Sequence, residues 1–314
     1  MGAGSRDIFD GTGEPATPGS YGEPPRGYRL PEATRLGPVR LQVADLARSL
    51  AYYHDILGLD VQAEDAARAV LGAHGDTRSL VELHANPAAR AMRPRARLGL
   101  YHFALLLPDR ASLGRFVGHA AARDVRLGAG DHLVSEAFYL TDPDGLGIEV
   151  YADRPRDRWR RLGRELMLAT DPVDVDGVLA AAGDTTWTGM PAGSVIGHVH
   201  LHVGDLAAAA AFYSDGLGLD RITWRYPGAL FLGAGGYHHH LGANTWAGPL
   251  ARPPTPDDAH LLEWTVEVPS RTDVDEVERS WMGSGHAVAR EAPESVVGRD
   301  PWGTAVRVVA RAPS

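Results

Sequence analysis

Between residues 196 and 203, Val199, Leu201 and Val203 fall on one face of an extended chain and His198, His200 and His202 on the other. That period-two alternation predicts a strand with one buried side. Over 206–213 the apolar residues change to helical spacing, and a Gly-containing turn and shorter strands follow. The same order recurs, so four β-α-β-β-β units are expected, at 36–83, 100–151, 196–244 and 261–309. Units one and three show the repeat most plainly. YHDILGLD from Tyr53 aligns with YSDGLGLD from Tyr213, and the opening strands align likewise, with over half the paired positions identical. Such self-similarity means one structural unit used repeatedly. Asp45 and Asp205 stand where a side-chain oxygen can cap the following helix. Asp142-Pro143-Asp144-Gly145 and Asp300-Pro301-Trp302-Gly303 predict turns before the closing strands of units two and four.

Outside the units, residues 1–33 are rich in Gly, Pro and charge, which reads as a flexible N-terminal tail or an extended arm. Residues 152–194 read as a linker with a helix over 159–167, and 247–259 is Pro-rich. In chain order this divides the protein into 34–151 (units one and two), the linker 152–194, and 195–314 (units three and four).

Composition narrows the chemistry. The 314 residues are 44% hydrophobic and 23% charged, an ordinary globular balance with length for roughly two domains. A net charge of −9 and no run of Lys or Arg argue against a nucleic-acid partner. No apolar stretch is long enough for a membrane span, and the N-terminus carries no signal pattern, so the expected compartment is the cytoplasm. With no cysteine there is no disulfide and no thiolate ligand, so a metal would have to use His, Asp or Glu. Exposed sheet edges imply a homo-oligomer.

His102 and Glu149 in unit two and His198 in unit three stand at matching points of the repeat. Two histidines and one carboxylate form the set that leaves open positions on non-haem Fe(II). Ile148 and Val150 flank Glu149, which turns Glu149 and Tyr151 to the face opposite the core.

Four stretches carry a resemblance: Gly99-Leu-Tyr-His-Phe-Ala104; Asp131 to Gly145; Gly147-Ile-Glu-Val-Tyr-Ala-Asp-Arg-Pro155; and Gly235 to Trp246 with its run Tyr237-His-His-His240. Across 36–310 the chain resembles the vicinal oxygen chelate superfamily, and within it the four-module extradiol dioxygenases of the catechol 2,3-dioxygenase type. The resemblance implies an α+β fold in which four βαβββ modules form two cup-shaped sheets, with ligands on the first and last strands of each module. It also implies Fe(II), a catechol-type substrate and O2, with both oxygen atoms entering the opened ring. Mn(II) accepts the same N and O donors and is the alternative ion.

The candidate ligand positions are Pro38 and Glu82 in unit one, His102 and Glu149 in unit two, His198 and one of His238, His239 or His240 in unit three, and Glu263 and Arg307 in unit four. Pairing units one with two gives a single histidine. Pairing three with four puts an arginine beside the metal. Pairing two with three completes His102, Glu149 and His198, a departure from the simplest extradiol enzymes, which pair three with four. Units one and four then form a second cup without ligands, where a salt bridge between Glu263 and Arg307 is expected.

The resemblance further implies an acid/base histidine on the strand of the HHH run. Successive strand residues face opposite ways, so the three cannot all reach one site. His239 is favoured and His240 is the other candidate. Tyr139 matches a tyrosine that hydrogen-bonds the substrate or a later species, and His132 a partner of the substrate hydroxyl. His200 and His202 share the face of His198 and line the pocket or fill it. Two other readings share the fold. One is a glyoxalase-like isomerase or lyase, typically with two carboxylates and no acid/base histidine. The other is a non-catalytic small-molecule binder that has lost its ligands.

Overall fold

The computed structural model describes residues 9, 12–92 and 97–311. Its four units fold as the periodicity predicts. Unit one opens with Arg35–Val43 and closes with Ser79–Ala85; unit two opens with Gly99–Leu106 and closes with Gly147–Asp153. Unit three opens with Val195–His202 and closes with Leu241–Asn244; unit four opens with His260–Val268 and closes with Ala305–Ala310. Each opening strand runs into a helix whose first turn is capped from the preceding residue. Asp45 Oδ1 accepts from Arg48 N at 3.0 Å, and Asp205 Oδ1 from Ala208 N at 2.7 Å. The helix of unit three, Leu206–Ala210, continues as a wider π turn over Ala211–Gly216.

The units join into two curved eight-stranded sheets. One pairs unit two with unit three through their opening strands, antiparallel, with His102 opposite His200 and Ala104 opposite His198. The other pairs unit one with unit four, with Val39 opposite Trp264. The sheets therefore do not follow the chain-order division into 34–151 and 195–314. The two inner units form one cup and the two outer units the other. One continuous apolar core joins them, with Val39, Leu41, Phe103, Val199, Leu201 and Trp264 all fully buried in it. Burying alternate residues there directs the intervening polar ones to the opposite face, where the site lies.

One of the two alternatives for the N-terminal segment holds for its described part, and one expectation needs correction. The described part of 1–33 is a packed arm. Glu14–Pro15 pairs with Arg160–Leu162, Tyr21 donates to the Gly236 carbonyl at 2.5 Å, and Arg29 binds Asp220 at 2.6–2.7 Å. Leu30 enters the core. A few anchors suffice to dock a segment whose composition is otherwise that of a tail. The helix expected over 159–167 is a hairpin, Arg160–Leu162 against Glu165–Leu166, turning at Gly163 with φ +64°. Its edge bonds to the arm replace the intrahelical bonds. The linker's helix lies later, at Val175–Ala181.

The turn that aims Glu149 is buried. Asp142 Oδ1 accepts from the backbone N–H of Asp144 and Leu146, and Gly145 adopts φ +82°, a conformation glycine takes without strain. Burial pushes the Asp142 carboxyl up to about 6. Its folded state thus favours the neutral acid. Stability from this group is fully present below about pH 4 and is lost as pH rises through about 6. Asp142→Asn keeps the accepting oxygen and cannot ionise. Its unfolding free energy is expected to gain on the parent by about 2 kcal/mol between pH 4.5 and 7.5. A parallel urea series for both proteins measures that difference.

Candidate functional site

Three strands meet at the floor of the inner cup. Ala104 pairs with Glu149 on one side and with His198 on the other. As a small residue it leaves space between the neighbouring donors. Two residues before Glu149 the strands come very close. A Cβ on Gly147 would lie 1.9 Å from the Tyr101 carbonyl oxygen, so only glycine permits this register.

His102 Nε2 lies 3.0 Å and His198 Nε2 3.2 Å from the same oxygen, Glu149 Oε2. His102, Glu149 and His198 are 5%, 2% and 2% exposed, so bulk water does not satisfy them. Among the described residues they are the one group of three or more potential ligands that converges, each offering an atom within 4.8 Å of the others. His198 hydrogen-bonds the carboxylate. His102 Nε2 is off the angle a hydrogen bond needs and remains without a partner. A buried imidazole lone pair beside a buried carboxylate is an orphan unless a cation joins them. The residues present therefore fit a divalent first-row ion bound by two nitrogens and one oxygen.

Electrostatics favour the ligating protonation states. Burial pushes the Glu149 carboxyl up, but the adjacent His198 and His102 outweigh it and hold the group well below the carboxylate range. Burial also lowers His102, overcoming the pull of Glu149, which keeps its lone pair free.

The donors open into a cavity of about 350 Å³. Tyr101, Phe231, Tyr226, Leu168 and Trp246 supply its apolar wall, and Tyr139, His132, His200 and His239 its polar side. His132 Nδ1 lies 2.6 Å from the Ala169 carbonyl, which can only accept, so Nδ1 carries the proton. His132 Nε2 must then accept, and Tyr139 donates its hydroxyl to it at 2.5 Å. Burial, reinforced by Glu149, raises the Tyr139 hydroxyl well above its ordinary range, so it stays a phenol that can donate. His239 packs on His198 with ring centres 4.2 Å apart, and burial lowers it well below the usual imidazole value.

His240 is not brought to the pocket. Its Nδ1 accepts from Ala234 N at 3.1 Å, and its ring faces a separate cleft with Arg156 and Tyr237. The run was expected on a strand, but His238–His240 lie in the irregular segment between Ala229–Gly233 and Leu241–Asn244. The bend of that segment, and not strand alternation, turns His240 away from His239. His200 lines the cavity, whereas His202 Nδ1 binds Asn244 Oδ1 at 2.7 Å outside it. The walls from Leu168, Ala169 and Thr170 escaped sequence reasoning because they follow the hairpin of the linker. The bridge from Asp131 to Asp171 that draws them in has no periodic signature.

In the outer cup Arg307 stands where the inner one has Glu149, and Arg40 where it has His200. Arg307 Nε and Nη2 bind Glu263 Oε1 and Oε2 at 2.7 and 3.0 Å, as expected. Arg40 Nε lies 3.3 Å from Glu82. Guanidinium charges already occupy the place of a cation. Glu263→Ala is expected to lower unfolding stability by about 2 kcal/mol, since it removes two charge-assisted hydrogen bonds. Bound metal and turnover should match the parent, as denaturant melts and metal analysis on one preparation would show.

The pattern of the Glyoxalase/Bleomycin resistance protein/Dioxygenase superfamily matches residues 35–150 and 195–304. The chain belongs to this superfamily. A catechol-2,3-dioxygenase of Bacillus subtilis (strain 168) is 45% identical over 275 residues, covering 86% of this chain and 95% of that protein. Among solved structures, a putative dioxygenase from Bacillus subtilis subsp. subtilis str. 168 superposes with a TM-score of 0.64 at 13% identity, over 92% of this chain and 87% of that one. Glyoxalase I from Zea mays superposes at 0.51 with 17% identity, over 88% and 92%. At such identities the two structures show the superfamily's fold and nothing finer.

Proposed function

We propose that this protein is an Fe(II)-dependent extradiol dioxygenase. It opens the ring of a catechol beside a hydroxyl, with both atoms of O2 entering the product. The observation that carries the reading is the convergence of His102 Nε2, His198 Nε2 and Glu149 Oε2 on a cavity also lined by Tyr139, His132 and His239. The 45% identical catechol-2,3-dioxygenase supports the same class.

His102, His198 and Glu149 would hold the ion. When bound, Fe(II) supplies a Lewis-acidic, redox-active centre with free positions for a catecholate and O2. The other residues handle protons and exclude water. His239, neutral and inside the cavity, takes the proton of a catechol hydroxyl and later returns it. Tyr139, held beside His132, turns its single hydroxyl proton from His132 Nε2 to the oxygen on which negative charge develops. The aromatic wall of Phe231, Tyr226 and Trp246 suits a flat ring and keeps the reacting atoms dry.

Oxygen uptake by anaerobically Fe(II)-loaded protein, with a small panel of catechols, tests the reading. Uptake with a new yellow absorbance is expected. Iron bound without uptake would shift the assignment to an isomerase that makes no use of O2. Reloading with Mn(II) and repeating the assay decides between the two ions.

A further inference from the structure

The HHH run also holds a hydrogen-bonded path from the cavity to Asp153. His238 is fully buried and His239 is 8% exposed. Their Nδ1 atoms lie 2.7 Å apart, a separation that requires one proton between the two nitrogens. On the far side of its ring, His238 Nε2 lies 2.9 Å from Asp153 Oδ1. A carboxylate can only accept, so His238 Nε2 carries a proton. In a neutral His238, Nδ1 is then a lone pair, and the bridging proton belongs to His239 Nδ1. That leaves His239 Nε2 unprotonated on a ring that lines the cavity.

The surroundings hold this order in place. Asp153 ends the strand that carries Glu149. Tyr237 reaches Asp153 with its hydroxyl at 3.4 Å and lies 2.7 Å from the Tyr151 hydroxyl. Trp159 covers the His238 ring edge-on with centres 5.5 Å apart. The His238 ring is thus fully enclosed, which strengthens its bond to His239, while the Asp153 carboxylate keeps part of its surface in water.

We infer that Asp153 and His238 are positioning residues that fix His239 as its Nδ1–H tautomer and so present Nε2 to the substrate as the base. The inference rests on the acid/base role proposed for His239. In the step concerned, a catechol O–H bond breaks and an N–H bond forms at Nε2, while the electron pair stays on the catechol oxygen. The positive charge on His239 is met by donation from Nδ1–H to His238, backed by the Asp153 carboxylate. No further reactant is consumed.

The first test needs no turnover. Two-bond 1H–15N spectra of the full-length, metal-free chain with 15N-labelled histidine separate the two tautomers, and His239→Gln identifies the His239 signals. The Nδ1–H form is expected in the parent and in Asp153→Asn, which keeps an accepting oxygen, and a mixture in Asp153→Ala. An Nε2–H tautomer at His239 in the parent overturns the inference. If Asp153→Ala does not fold, the parent spectrum alone decides.

Kinetics supply the second test. Asp153→Ala is expected to lower kcat roughly tenfold to a hundredfold, with KM for the catechol and iron content near the parent's. Asp153→Asn should recover most of the loss. In a His239→Ala background, Asp153→Ala should cause no further loss. An equal fall in that background would mean Asp153 does not act through His239. Should the parent turn over no catechol, the dioxygenase reading fails, while the spectra still decide the tautomer.

Discussion

Glu149→Gln is expected to leave the chain folded and nearly free of iron under conditions that load the parent. Its carboxylate oxygen is the one atom both imidazoles approach, at 3.0 and 3.2 Å. An amide in its place offers a neutral and weaker donor. Altering groups that merely support metal ligands already lowers affinity by about 10- to 100-fold, so losing a ligand should exceed about 100-fold. Oxygen uptake should fall in proportion to bound iron. His102→Ala and His198→Ala should behave alike. Folding should persist, because Ile148 and Val150 keep the strand in the core. Metal analysis after gel filtration, paired with a thermal melt, measures both. Full iron in Glu149→Gln would put the ion elsewhere in the chain.

His239→Ala should separate from those variants by keeping its iron. The ring lies against His198, yet its Nδ1 is engaged by His238, which suits a proton carrier better than a ligand. Removing a general acid/base lowers turnover by roughly 10²- to 10⁴-fold. That loss should appear in kcat, with KM for the catechol changed little. His240→Ala is the internal control. It loses one hydrogen bond from Ala234 N, about 1 kcal/mol of stability, and should retain turnover. Iron loss in His239→Ala would make it a ligand, and a large fall in kcat for His240→Ala would reverse the two assignments.

Much of this was legible in the chain because the same alternation that buries a strand also fixes which residues face the cup. Val199 and Leu201 point inward to the core, so His198 and His200 had to point the other way. Even the pairing of units followed from chemistry: Arg307 made the pairing of units three and four a poor metal site, and the inner sheet indeed joins units two and three. Segment 159–167 was less readable. Trp159, Leu162 and Leu166 fit helical spacing, but the arm offers hydrogen bonds to an edge strand there, and tertiary contacts override a weak local preference. The arm was obscured for the opposite reason. Its composition is that of an unstructured segment, and Tyr21, Tyr28 and Leu30 acquire meaning only beside the surfaces they meet. The Asp153–His238–His239 path is another case, since it depends on ring orientation rather than on spacing.

The nesting of one pair of units inside the other also sets an order of assembly. The inner cup closes between Phe103 and Val199, which are partners across its central ladder, whereas the outer cup must bring Val39 to Trp264. The longer closure costs about 0.7 kcal/mol more in chain entropy, a modest thermodynamic difference. Its weight falls on synthesis. At ~5–20 residues per second, the edge of Arg35–Val43 that receives unit four stays open for roughly 10 to 45 s after it leaves the ribosome. For most of that interval unit three is itself still being made. The inner cup can close only once Asn244 has emerged, roughly 1 to 4 s before Trp264 at the same rate. The opening strand of unit one therefore waits longest for its partner, and the part of the protein with no chemistry to perform is the part most exposed to pairing with the wrong one.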